Sequence, residues 1–164
     1  MHQIAPIELQ VMHMLLAGDH PTLETLRQQF ASSIVVERDF TGVGFFTSFK
    51  VQDCVPRVVP PRRIVIGDVC ADVDGLEYGC GFILFVDDGL LGTLECHLWG
   101  DDVFPDNPRY NRIYYVNKTN PLAVTEATER DMEALIATVA KEQSHAMEPV
   151  VGSVLKSTRI APAR

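Results

Sequence analysis

Hydrophobic spacing changes period near residue 33, and the change divides helices from strands. Between Pro6 and Ala17, Ile7, Val11, Met14 and Leu15 recur at i, i+4, i+7 and i+8, the stripe of an amphipathic helix. Pro6 suits its first turn and Gly18 its C′ position. Asp19-His20-Pro21 restarts the chain, and Leu23, Leu26 and Phe30 predict a second helix ending near Ala31. From Ser33 the period drops to two. Ile34 to Phe40 and Phe45 to Val51 flank Thr41-Gly42-Val43-Gly44, which predicts a hairpin. Pro56, Pro60 and Pro61 mark an irregular connection.

Arg63 to Val73 reads as a strand, with Val65, Val69, Ala71 and Val73 on one face and Ile64, Ile66, Asp68, Cys70 and Asp72 on the other. Cys80 to Asp87 and Leu90 to Trp99 then flank Asp88-Gly89, a pair suited to a type I′ turn because both central residues need positive φ. Asp101 to Arg109 is a loop, and Asn111 to Asn117 a last short strand ended by Asn120-Pro121. Met132, Leu135, Ile136 and Val139 predict a third helix over about Glu126 to Gln143. Hairpins without βαβ units give an α+β fold: a mainly antiparallel sheet of five or six strands, two N-terminal helices and one C-terminal helix. The expected single domain covers residues 1–148, with a partly disordered tail over 149–164.

Composition narrows the function classes. Of the 164 residues 46% are hydrophobic and 22% charged, a globular balance. The net charge of −8 argues against a nucleic-acid binder, which needs a basic face, and suits a basic protein partner. Neither a signal peptide nor a membrane-length apolar run is seen, so the chain is expected to be cytoplasmic, with no membrane contact. Its four cysteines form no Cys-x-x-Cys pair, and no nucleotide-binding glycine motif is present, so no cofactor is expected. Asp72-Val-Asp74-Gly lacks the glutamate of a calcium loop, since the twelfth position is Ile83.

The central hairpin carries the candidate chemistry. A two-residue turn that pairs Asp87 with Leu90 also pairs Phe82 with Glu95 and Cys80 with His97. Cys80, Glu95 and His97 then share a face with Phe82, Leu84 and Thr93, and Ile83, Phe85, Leu94, Cys96 and Leu98 form the core face. A thiol, an imidazole and a carboxylate together could serve as nucleophile, base and orienting group, or as metal ligands. A one-residue slip or bulge would dissolve the cluster. After the hairpin, aromatic and acidic side chains intermingle, and Trp99, Asp101, Asp102, Phe104, Asp106 and Tyr110 are candidates for contacting a partner.

The segment from Gly79 to Pro105 runs Gly-Cys-Gly-Phe-Ile-Leu-Phe, Asp-Asp-Gly, Leu94-Glu95, Trp99-Gly100 and Phe104-Pro105. With Thr41-Gly-Val-Gly-Phe-Phe46 upstream, it resembles a family of small bacterial proteins, some thought to act as immunity factors beside polymorphic toxins. The resemblance implies an immunity-type role, and with the net charge of −8 and the lack of a catalytic motif the expectation is a non-enzymatic protein-binding module that neutralises a basic toxin through an acidic surface. It brings no catalytic residues with it. The alternative is an enzyme or metal-dependent protein using Cys80, His97 and Glu95.

Overall fold

A computed structural model describes residues 3–60, 62–120 and 123–140. Two helices open the chain, α1 (Pro6–Leu15) and α2 (Pro21–Ala31), each starting at a proline whose missing N–H is no loss in a first turn. The Glu8 carboxylate accepts from the Ala5 N–H at 2.6 Å, and His20 Nδ1 accepts from the Thr22 N–H at 3.2 Å. Gly18, at φ 115°, lets the chain leave α1. Two guanidinium groups then meet the open carbonyls of that helix end: Arg27 donates to Leu16 and Gly18, and Arg130 to Leu15 and Ala17.

Seven strands follow: β1 (Ile34–Phe40), β2 (Gly44–Lys50), β3 (Ile64–Val73), β4 (Cys80–Asp87), β5 (Leu90–Leu98), β6 (Tyr110–Asn120) and β7 (Ala123–Ala127). They form one sheet in the order β1-β2-β5-β4-β3-β6-β7, every neighbouring pair antiparallel. The α+β class holds, but the sheet has seven strands rather than five or six. The extra strand, β7, begins before the expected third helix and takes its first two residues, Glu126 and Ala127. Helix α3 (Met132–Ala140) starts later, where Asp131 Oδ1 accepts the Ala134 N–H at 2.9 Å and caps it. The expected helix end near Gln143 and the tail 149–164 lie outside the described residues.

All three helices contribute to one core on one face of the sheet. Val11, Leu15, Leu23, Leu26, Leu135 and Val139 are buried there with Phe45, Ile64, Ile66, Val69, Ala71, Phe82, Leu84, Leu94 and Cys96. Ile7 and Phe30, also expected inside, are half-buried against this core.

Two bulges decide which side chains join it. In β5, Asp87 pairs with Leu90 and Val86 with Leu91, but Phe85 pairs with Thr93, so Gly92 is an extra residue. In β3 the ladder jumps from Ile66–Leu84 to Val69–Phe82, so Gly67 and Asp68 together oppose one residue of β4. Each bulge shifts the side-chain phase by one. The β3 faces read from strict alternation are therefore corrected: Ile64 and Ile66 lie on the same buried face as Val69, Ala71 and Val73.

Two buried polar side chains anchor the helices to this layer. Glu8 accepts from Arg38 at 2.6 and 2.8 Å and from the Thr47 hydroxyl at 2.6 Å. Gln29 donates to the Pro56 and Gly89 carbonyls and accepts from the Leu91 N–H, which fixes α2 over the central turn.

Candidate functional site on the open face of the sheet

The Gly92 bulge separates the expected catalytic cluster. Phe82 pairs with Cys96, Gly81 with His97, and Cys80 with Leu98. Cys80 consequently lies in the core beside Cys96, and both are buried. The hydrogen bond shared with Cys80, and then burial, raise the Cys96 thiol above its ordinary pKa, so it stays protonated and unreactive at neutral pH. Glu95 and His97 sit on the opposite side of the sheet. Among the described residues, no three His, Cys, Asp or Glu side chains form a group able to hold a metal ion.

The side without helices is built from cross-strand rows. Gly44, His97, Gly81, Cys70 and Tyr114 make one row across five strands, and Asp39, Phe46, Glu95 and Ile83 make the next. Glu37, Ser48, Thr93, Phe85 and Val65 make a third. Phe46, Ile83, Phe85, His97 and Tyr114 are half-buried, neither packed under a helix nor fully in water. Arg63 lies over the Phe85 ring at 5.6 Å, and Arg112 over the Tyr114 ring at 4.6 Å. Arg112 also bridges Asp72 and Glu126. Burial, aided by Asp72, pushes the Tyr114 phenol up to about 12. Among the described side chains of this face, the carboxylates of Glu37, Asp39, Asp72, Asp87, Glu95 and Glu126 outnumber the cations of Lys50, Arg63 and Arg112.

At one end of the face is a hollow of about 510 Å³ lined by Cys70, Tyr78, Trp99, Gly100, Tyr114, Val116 and Glu126. Gly81 creates the space beside it. A β-carbon there would come within 2.7 Å of the His97 ring and 3.0 Å of Trp99, so glycine lets both rings lie across β4. His97 and Trp99 meet edge to face with centroids 4.8 Å apart. The Trp99 N–H donates to the Gly79 carbonyl at 3.3 Å, and the Asp102 carboxylate accepts from the Glu77 N–H at 3.3 Å. These two bonds tie the segment holding Tyr78 to the end of β5.

The expected partner-contacting cluster is thereby divided. Trp99 lies on the open face and Asp102 braces the hollow, but Phe104 is buried against Phe45, with ring centroids 5.9 Å apart, and Tyr110 packs on Phe82 at 6.5 Å. Asp101 and Asp106 are exposed. Asp72 and Asp74 are engaged by Arg112 and Asn111. Tyr114 joins Trp99 there, as the clustering of aromatics after the hairpin suggests, whereas nothing in the spacing of Tyr78 and Glu126 marks them as neighbours of Trp99. The usable signal was glycine inside a strand pattern, at Gly67 and Gly92, which marks bulges and resets the register.

A larger groove of about 710 Å³ lies between α1, α2 and β1, walled mainly by apolar side chains such as Ile4, Leu9, Phe30 and Ile34. Its Arg27 is engaged with Glu24 and the α1 carbonyls. No helix among the described residues is long and apolar enough to cross a membrane. Compared with known protein families, curated proteins and solved structures, the chain matches none.

Proposed function

We propose that the chain is a non-enzymatic protein-binding module that takes a basic partner on the helix-free face of its sheet. One observation carries this reading: a seven-stranded sheet places all three helices on one side and leaves half-buried aromatics among surplus carboxylates on the other. A mixed apolar and acidic face supplies contact area at its aromatics and steering at its charges. The immunity-type role is the biological form suggested by the resemblance of the Gly79 to Pro105 segment, with a basic toxin as the partner.

Affinity capture from the cells of origin tests the proposal. Wild-type protein should retain a basic protein at low salt and lose it as salt rises, because screening acts on exposed charges. The Glu95→Lys variant should lose the same protein while keeping its denaturant midpoint within about 0.5 kcal/mol, as expected for a side chain outside the core. Capture that is absent at low salt, or unchanged by Glu95→Lys, would overturn it.

The alternative reading, chemistry by Cys80, His97 and Glu95, is opposed by the register, which puts Cys80 on the other face from the two partners it would need.

A further inference from the structure

We infer that the hollow at Trp99 is a receptor for an organic cation, an ammonium or guanidinium head group. The inference rests on the reading of this sheet face as the binding face and names what it would grip. Three aromatic rings, Tyr78, Trp99 and Tyr114, line one concave space together with the Glu126 carboxylate. Aromatic walls attract a cation through their ring faces, and a carboxylate at the rim adds charge complementarity. Three aromatics with an acid suit a cation better than an anion or a neutral apolar group.

The chain already displays this preference. Arg112 stands over the Tyr114 ring while Asp72 and Glu126 hold its guanidinium at 3.0 and 2.6 Å. The cation–aromatic–carboxylate contact is therefore made once within the fold, and Arg112, which is not part of the lining, balances only one of the two carboxylates it touches, so the rim stays net negative for a second cation. Tyr78 and Trp99 remain as walls of the hollow. Tyr78 is 60% exposed, so its ring is accessible from solvent as a wall of the hollow. Gly100, at φ 97°, turns the chain against the Tyr78 ring, which would stand 3.2 Å from a β-carbon placed there.

Such a cation has two sources: a small quaternary ammonium compound, or a lysine or arginine side chain of the partner. Trp99 is the only tryptophan, so its emission reports the hollow directly. The experiment titrates the full chain with choline, with its neutral isostere 3,3-dimethylbutanol, and with a lysine-rich peptide. The site predicts a saturable change in Trp99 emission with a cation, and at least about tenfold weaker response to the isostere. Tyr78→Leu should weaken the response about fivefold or more and Tyr78→Phe should restore it, since the ring and not the hydroxyl is the wall. Choline saturating alone assigns a small-molecule ligand; the peptide saturating assigns a partner side chain, and either supports the site.

An equal response to the isostere, no saturable response to any cation, or an unchanged response in Tyr78→Leu would overturn it. Partner capture that persists without any cation response refutes this site and leaves the proposed function standing. A cation response without capture of any basic protein does the reverse.

Discussion

Gly81 shows how one missing side chain shapes the open face. Its absent β-carbon is the space in which His97 and Trp99 lie, so Gly81→Ala should lift both rings at a cost of about 1–3 kcal/mol, the usual range for overpacking. Trp99 emission should shift toward the red in the folded variant; unchanged emission and stability would show that the rings do not depend on this glycine. Glu95 gives the opposite expectation. It is half-buried on the open face, and no hydrogen-bond or ion-pair partner for it is found among the described residues. Arg63 turns to Asp87, Arg112 to Asp72 and Glu126, and the Tyr115 hydroxyl to the Met14 carbonyl. Glu95→Gln should therefore change the denaturant midpoint by less than about 0.5 kcal/mol, and a larger loss would mean the carboxylate has a structural task. Gln29, fully buried with three hydrogen bonds, belongs to the other class: Gln29→Leu strands the Pro56 carbonyl and the Leu91 N–H, while the Gly89 carbonyl keeps the Val58 N–H, and should cost roughly 2–4 kcal/mol.

At the scale of elements, the strands and helices were readable because each keeps its own hydrophobic period. Ile34–Phe40, Cys80–Asp87 and the start of α1 at Pro6 follow directly from apolar spacing and turn residues. What alternation could not show was its own interruption. Alternation alone makes Ile83, Phe85, Leu94, Cys96 and Leu98 the core face of the central hairpin, and the bulge corrects this: Leu94 and Cys96 are buried opposite Leu84 and Phe82, while Ile83 and Phe85 lie on the open face. The β5 phase is thus a property of Gly92. Deleting Gly92 removes the unpaired residue and leaves the observed pairs in place, Phe85 with Thr93 and Phe82 with Cys96. The deletion variant should therefore fold with Leu94 and Cys96 still buried and Glu95 and His97 still on the open face, at a cost below about 3 kcal/mol. A deletion variant that fails to fold would contradict the assigned bulge. The seventh strand escaped for another reason: Ala123–Ala127 is only five residues long, and its Glu126 and Ala127 suit the first turn of a helix as well as a strand.

For the whole molecule, the two faces differ in what they ask of pH and of partners. Burial raises the phenols of Tyr110, Tyr114 and Tyr115 above their ordinary value near 10, Tyr114 to about 12. In that window the folded protein keeps protons that the unfolded chain has released. Stability is therefore full below about pH 10 and falls as pH rises from there through the folded values. Denaturant midpoints should decline over that range, in step with tyrosinate absorbance; a flat profile between about pH 10 and 12 would contradict the burial of these rings. The helix-covered face explains stability, and the open one is left to explain function. The most direct measurement is photocrosslinking in the cells of origin, with a benzophenone side chain placed at Phe85 on the open face or at Leu9, an exposed position on α1. The account predicts a defined protein adduct from position 85 and none from position 9. An adduct from position 9 alone would contradict it and move the functional surface to the helices.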